Sequence, residues 1–119
     1  MNILPKKKTQ QAMTYPLSEA LIEQLKEEVV QAIKTVYDPE IPLNIYDLGL
    51  IYHIDCDENG MVFIRMTLTS MSCPFAHTLP GMVEQAVRSV SGVVEAQVEL
   101  VWDPPWAMSE AVRLQLGLL

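Results

Sequence analysis

Hydrophobic positions recur along the chain with two different periods, and the first period is helical. From Ser18 onward, apolar residues return at three- and four-residue steps while Glu and Lys occupy the other faces: Leu21, Leu25, Val29, Ile33 and Val36. Ser18 is the predicted N-cap because its hydroxyl can accept a hydrogen bond from a free amide of the first turn. The helix is expected to end near Tyr37-Asp38-Pro39, since a residue before proline is driven out of the helical conformation.

Two strictly alternating segments come next, and they predict two strands that are each buried on one face. The buried positions are Leu50, Tyr52, Ile54 and Cys56 in the first strand, then Val62, Ile64, Met66 and Leu68 in the second. Between them, residues 57–60 end in Asn59-Gly60, a pair that tolerates the positive φ angles of a tight primed hairpin turn. Cys56 is therefore interpreted as a core-facing strand residue, not as a ligand.

The second half of the chain repeats both periods. A second helical stripe consists of Phe75, Leu79, Met82, Val83, Ala86, Val87 and Val90. Pro80-Gly81 interrupts it, which predicts either a kink or a short first segment before the main helix. Alternation from Val94 to Trp102 predicts a third strand, and residues 108–116 predict a short terminal helix.

The element order is thus helix, strand, strand, helix, strand, helix. A tight turn makes the first two strands antiparallel, and a strand-helix-strand connection makes its two strands parallel. We therefore predict an α+β fold, a two-layer α/β sandwich with a small mixed sheet of about three strands. Residues 1–15 lack apolar periodicity and are expected to form a flexible tail before a single domain at 16–119.

Charge and cysteine content narrow the functional class. The 119 residues carry a net charge of -7, which argues against nucleic acid or an acidic membrane face as a partner. No apolar run is long enough to cross a bilayer, and no secretory signal pattern is found at the start. Two cysteines, Cys56 and Cys73, do not make a disulfide framework, so a cytoplasmic location is expected.

Candidate chemistry concentrates where the second strand leads into the second helix. Residues 67–77 run from a threonine-rich strand end through a hydroxyl-rich turn to Cys73, directly before Pro74. A proline is suited to the first helical position, so Cys73 is expected at the N-cap, where the helix dipole favours a thiolate that binds metals or attacks electrophiles. The alternative is that Cys73 is a small buried residue that merely caps the helix.

An acidic loop with two prolines precedes the first strand. Its carboxylates, Asp38, Glu40 and Asp47, could hold a hard cation or face a site. Alternatively, they cap turns while the prolines stiffen the loop. Whether Asp38 and Cys73 meet in space is left open by the sequence.

Several motifs, in this order, resemble the MIP18-like family, formerly a domain of unknown function, which includes the bacterial SufT-type iron-sulfur assembly factors and the related PaaD-like proteins. The likeness covers residues 18–119, and four motifs in one order are far more specific than any single motif. The motifs are Asp38-Pro39-Glu40, residues 45–52, Thr67-Leu68-Thr69 leading to Cys73-Pro74, and residues 102–106 followed by Met108-Ser109-Glu110 and Leu116-Gly117.

The resemblance implies a cytosolic, non-enzymatic auxiliary factor in iron-sulfur cluster assembly or transfer. Its implied site consists of Cys73 as the functional thiol and metal ligand, Asp38 and Glu40 beside it, and Thr67 and Thr69 as supports of the turn. The implied cofactor is a transient iron-sulfur cluster or iron, and the implied partners are a scaffold and client apoproteins. One cysteine cannot saturate a cluster, so either a second subunit contributes its own Cys73 or the partner protein supplies ligands. A homodimer is expected because it would bring two such turns together. PaaD-like proteins often carry further cysteines downstream, and none follows Cys73, which favours the SufT-like branch.

Two other functions compete with this one. In the first, the protein is an adaptor that docks assembly proteins through the acidic loop and through Trp102 and Trp106, which flank a rigid Pro-Pro step. Those tryptophans could instead pin the last helix onto the sheet. In the second, Cys73 and His77 share a helix face as a nucleophile and base, although no third orienting group is evident.

Overall fold

The order of helices and strands is the predicted one. The structure, a computed structural model, describes residues 14–39, 41–69 and 75–118. Within these ranges the elements are α1 (Glu19–Ile33), β1 (Ile51–Cys56), β2 (Met61–Met66), a 3-10 turn (Phe75–Thr78), α2 (Leu79–Arg88), β3 (Glu95–Leu100) and α3 (Glu110–Gln115). None of the described helices is both long and apolar enough to cross a bilayer. The predicted boundary between tail and domain stays a prediction, because residues 1–13 lie outside the described ranges.

The three strands form one mixed sheet in the order β1-β2-β3. β1 pairs antiparallel with β2, and β2 pairs parallel with β3, as the connection rules predicted. α1 packs against α2 and β1, and α2 packs against β3, so the two longer helices form the second layer. The buried core between the layers includes Val29, Ile33, Val62, Ile64, Met66, Val83, Val87 and Ala96.

The first helix is capped as predicted but ends earlier than predicted. The Ser18 hydroxyl accepts a hydrogen bond from the amide of Leu21, at 3.2 Å. The helix stops at Ile33, and Tyr37 instead forms an isolated β-bridge with Asn44. Pro39 therefore lies in a loop that has already left the helix, so the proline rule placed the end too late.

The hairpin turn is present, but it is not of the primed type. The amide of Gly60 donates to the carbonyl of Asp57 at 3.2 Å, and no described residue other than glycine has a positive φ. Gly60 alone is left-handed, with a φ of 78°, and the Asp57 carboxylate accepts from the amides of Asn59 and Met61. This is a three-residue loop that ends in a glycine bulge.

Strict alternation fails at one end of the sheet, in both β1 and β2. The register shifts between Ile51 and His53, which makes Tyr52 a bulge residue instead of a regular core position. β2 ends at Met66, and the next residue, Thr67, is buried together with Leu68 although alternation placed it on the opposite face. Both departures lie at the end of the sheet that carries the predicted site.

The second helix follows the short-segment alternative. A 3-10 turn over Phe75–Thr78 precedes α2, and Pro80 lies in the first turn of α2, where its missing amide costs no helical hydrogen bond. The α-helix thus begins at Leu79, after this short first segment, and the N-cap role of Cys73 stays a prediction. Cys73 and Pro74 themselves lie outside the described residues.

Candidate functional site

The loop between α1 and β1 is held against the end of β2 by backbone hydrogen bonds. The amide of Ile45 donates to the carbonyl of Val36 at 2.9 Å, and the amide of Leu50 donates to the carbonyl of Ile45 at 3.1 Å. The amide of Thr67 then donates to the carbonyl of Leu50 at 2.9 Å. These three bonds connect the loop that carries Asp38 to the segment that leads toward Cys73.

The polar side chains of this loop are largely used to shape it. Asp38 is 7% exposed, and its carboxylate accepts a hydrogen bond from the amide of Ile41 at 3.1 Å. The Asn44 side chain donates to the Asp47 carboxylate at 2.9 Å and accepts from the Asp47 amide at 2.8 Å. The turn-capping interpretation therefore applies to Asp47, while Asp38 combines a turn contact with burial. Glu40 lies outside the described residues.

Thr67 is the most unusual polar residue of the region. It is 1% exposed, and its hydroxyl has no hydrogen-bond partner within the described part of the chain. A buried hydroxyl without a partner costs about 1–3 kcal/mol, so such groups are rare. Thr69 is half-buried, and residues 70–74, with Cys73, lie outside the described ranges. The buried Thr67 hydroxyl thus lies just before the segment that the sequence singled out.

The segment after β3 closes over the same end of the sheet. The indole nitrogen of Trp106 donates to the carbonyl of Leu48 at 2.8 Å, and the Tyr52 hydroxyl donates to the carbonyl of Pro104 at 2.8 Å. Burial raises the pKa of Tyr52, and the Asp103 carboxylate raises it further. The bulge of β1 coincides with the Tyr52 contact, which sequence analysis missed because alternation placed Tyr52 in the core.

The two tryptophans therefore have different roles. Trp106 is half-buried and pins its segment onto the loop before β1, whereas Trp102 is 38% exposed. The pinning alternative thus applies to Trp106, and docking through Trp102 stays a prediction.

Within residues 14–39, 41–69 and 75–118, no group of three or more His, Cys, Asp or Glu side chains could hold a metal ion. Cys56 lies at the hairpin end of β1, the end opposite to Thr67, and is partly buried. Burial is the main reason that its pKa is raised to about 11, so it is a protonated thiol at neutral pH. His77 is exposed. Neither Cys56 nor His77 thus belongs to such a group within the described ranges, and the predicted ligand role of Cys73 lies outside them.

Comparison with known proteins gives a consistent result. A family model described as an iron-sulfur cluster assembly protein matches residues 26–99. A curated relative from Porphyromonas gingivalis, named Fe-S protein maturation auxiliary factor, is 46% identical over 99 residues, covering 81% of this chain and 94% of the relative. The Fe-S protein maturation auxiliary factor SufT of Staphylococcus aureus is 35% identical over 86 residues, covering 70% of this chain and 98% of SufT.

A solved structure shares the fold. The crystal structure of a domain of unknown function, DUF59, from Bacillus anthracis matches with a TM-score of 0.74 at 33% identity. The match covers 86% of this chain and all of that one, 100%. The order of elements and the mixed sheet are thus shared with a protein of similar sequence.

Proposed function

Because the chain belongs to the iron-sulfur cluster assembly protein family, we propose that it is a non-enzymatic auxiliary factor in iron-sulfur protein maturation and that Cys73 is its functional thiol. Family membership confirms the resemblance seen in the sequence motifs. Relatives that match over most of their length are named Fe-S protein maturation auxiliary factors, which supports the auxiliary role. A cytoplasmic location is part of the same proposal.

The observation that carries the proposal for the site is the buried, unsatisfied hydroxyl of Thr67. Most buried side-chain polar atoms have a hydrogen-bond partner, so a hydroxyl without one among the described residues needs an explanation. We attribute it to support of the turn that leads to Cys73. Thr67 is tied to Leu50 and, through Ile45, to the loop of Asp38. Asp38, Glu40 and Thr69 are proposed as the polar surroundings of Cys73, with Thr67 and Thr69 supporting the turn.

In this proposal an iron-sulfur cluster or iron is cargo that the protein holds transiently. Clusters are usually held by four thiolates, and Cys73 is a single thiol. Cys56 is not proposed as a further ligand, because it lies at the other end of β1 from Thr67. The remaining ligands must come from a second copy of the chain or from the scaffold or client protein.

The decisive experiment replaces each cysteine in turn. Cys73→Ser is expected to lower the activity of cluster-dependent enzymes in a deletion strain to the level of the empty vector, while its thermal unfolding midpoint stays unchanged. Cys56→Ser is the matched control and is expected to restore these enzymes. Full restoration by Cys73→Ser would remove the thiol from the function.

An adaptor function is the second candidate, and the exposure of Trp102 favours it. Trp102 lies beside the exposed Pro104 and Pro105, which together offer a rigid apolar surface. Pull-downs would distinguish the two functions: an adaptor loses its partners in Trp102→Ala and retains them in Cys73→Ala. The opposite pattern supports the thiol.

A further inference from the structure

The outer edge of β1 is open within the described part of the chain. β1 pairs with β2 on one side, and no described strand pairs with its other side. A strand with a free edge offers its amides and carbonyls to an added strand. This edge is therefore a surface at which a further extended segment can bind.

The register identifies which backbone groups point outward. The amide of Asp57 donates to the carbonyl of Met61 at 3.0 Å, and Asp55 lies opposite Phe63. Hydrogen-bonded and non-hydrogen-bonded pairs alternate in an antiparallel ladder. The amides and carbonyls of Asp55 and His53 therefore point toward β2. The amides and carbonyls of Ile54 and Cys56 consequently point to the open edge.

A groove lies alongside the same edge. It has a volume of about 450 Å³ and runs between α1 and β1. Its apolar lining includes Val30, Tyr46 and Ile51, and the exposed Glu23, Lys26 and Glu27 of α1 also line it. A side chain with a long aliphatic stem and a cationic end matches this combination of apolar wall and carboxylate.

The charges around this edge determine whether a basic or an acidic segment can bind there. Glu23, Asp55, Asp57 and Lys26 all act electrostatically on Cys56, at the hairpin end of β1. Glu27 adds a fourth carboxylate, and Lys34 adds a second ammonium group, 5.4 Å from the centroid of the Tyr46 ring. Four carboxylates against two ammonium groups leave a negative surplus of two. A second copy of the chain would bring the same surplus to the interface, where like charges oppose association.

From the open ladder, the groove and the charge surplus, we propose that β1 binds an extended, lysine- or arginine-bearing segment of a partner protein as an added strand. Such a segment bonds to the backbone of Ile54 and Cys56 and directs alternate basic side chains over the groove toward Glu23 and Glu27. None of the residues proposed for the thiol site takes part in this surface, so the inference goes beyond the proposed function.

The test uses the full-length protein and a synthetic peptide of about eight residues that alternates lysine and valine. Amide hydrogen exchange by NMR is expected to show new protection at Ile54 and Cys56 when the peptide is added. The amides of His53 and Asp55, already bonded to β2, are expected to remain unchanged. A peptide with glutamate in place of lysine is expected not to bind.

Charge variants separate this groove from general electrostatic attraction. Glu23→Lys combined with Glu27→Lys is expected to weaken peptide binding about tenfold, since two exposed ion pairs become repulsions. Glu28→Lys, on the same helix but outside the groove lining, is the matched control and is expected to have little effect.

Four results would overturn the proposal. The first is absence of peptide binding, and the second is equal binding of the glutamate peptide. The third is peptide binding without protection of Ile54 and Cys56. The fourth is protection of these amides in the peptide-free protein: protection that depends on concentration indicates a second copy, and protection that does not indicates the chain's own N-terminal segment. None of these outcomes bears on the thiol, which the complementation experiment tests separately.

Discussion

At the scale of single residues, Cys56 differs in ionisation from the reactive thiol that Cys73 is proposed to be. Cys56 is partly buried at the hairpin end of β1, and its pKa is raised to about 11 chiefly by burial. Asp55, Asp57 and Glu23 add to the increase, and Lys26 opposes it. Since the thiolate is the reactive form, Cys56 is chemically quiet at neutral pH.

This difference predicts the pH dependence of alkylation. In Cys73→Ser, where Cys56 is the remaining cysteine, the rate with iodoacetamide is expected to rise about tenfold per pH unit from pH 7 toward 10, because the raised pKa leaves little thiolate below that range. In Cys56→Ser, alkylation at pH 7.5 is expected to be about tenfold faster. A thiol of ordinary pKa at Cys73 has a thiolate fraction about a hundredfold larger than that of Cys56. The thiolate of Cys56 is the more nucleophilic of the two, because nucleophilicity rises with pKa, and this offsets part of the difference in rate.

Mass spectrometry of quenched samples measures both rates. Equal rates for the two variants at pH 7.5 would contradict an ionised and reachable Cys73. A Cys56 rate that levels off below pH 9 would contradict the raised pKa.

At this scale the sequence selected candidate residues but did not predict their surroundings. Asp38 and Thr67 were both selected, the first from its acidic loop and the second from the family resemblance. The burial of Thr67 was not predicted, because the alternating pattern in the sequence continues past Met66, whereas the strand in the structure ends at Met66. Where a strand ends depends on its neighbours in the sheet, which a single segment does not reveal.

At the scale of elements, hydrogen bonds and close packing hold the turn of the β1-β2 hairpin against the loop before β3. The amide of Val94 donates to the carbonyl of Gly60 at 2.7 Å, and the Tyr15 hydroxyl donates to the carbonyl of Gly92 at 2.8 Å. A Cβ at Gly60 would lie 2.6 Å from the Gly92 carbonyl oxygen, which is too close for any real contact. Gly60 is therefore required both by its φ and by the space around it.

Gly60→Ala is accordingly expected to destabilise the protein by about 2–4 kcal/mol, combining left-handed strain with displacement of backbone. The thermal midpoint should fall by roughly 10 °C. Gly49→Ala is the matched control: Gly49 has a similar φ of 84°, but a Cβ there would lie 3.8 Å from the Trp106 indole nitrogen, an ordinary van der Waals contact. It is expected to cost about 1–2 kcal/mol, from strain alone.

Circular dichroism during thermal unfolding measures both substitutions. Equal losses in the two variants would show that the close approach of Gly92 to Gly60 adds nothing to the free energy of unfolding.

The elements themselves were largely predictable because their signals are local. Ser18 caps α1 and the interior of β2 alternates, since capping and pleating act within a few residues. The end of α1 and the hairpin type were wrong for the opposite reason. The Tyr37–Asn44 bridge and the packing of Gly60 on Gly92 are contacts between separate segments.

At the scale of the whole molecule, the topology followed from connection rules, whereas the assembly of the site did not. A hairpin and a right-handed crossover suffice to give the mixed sheet. The closure of its end depends on Trp106 bonding to Leu48 and Tyr52 bonding to Pro104. Each of these hydrogen bonds joins residues more than 50 positions apart in the sequence, so no local sequence pattern predicts it.

The number of chains in the assembly determines how a cluster could be held. If Cys73 is the one usable thiolate of the chain, a cluster bound without a partner protein requires at least two chains, with the remaining iron sites filled by other ligands. Anaerobic reconstitution with iron and sulfide is therefore expected to give visible absorption in a species of twice the chain mass of 13.4 kDa. Cys56→Ser is expected to behave in the same way, and Cys73→Ser to stay colourless at the mass of one chain.

Size-exclusion chromatography with simultaneous visible absorption and light scattering measures colour and mass together. Colour that elutes with a single chain, or that persists in Cys73→Ser, would contradict the bridging of two chains through this thiol. A colourless native protein would contradict cluster binding by the chain alone and leave the partner protein as the source of the ligands. Each result thus identifies which molecule completes the coordination that one cysteine begins.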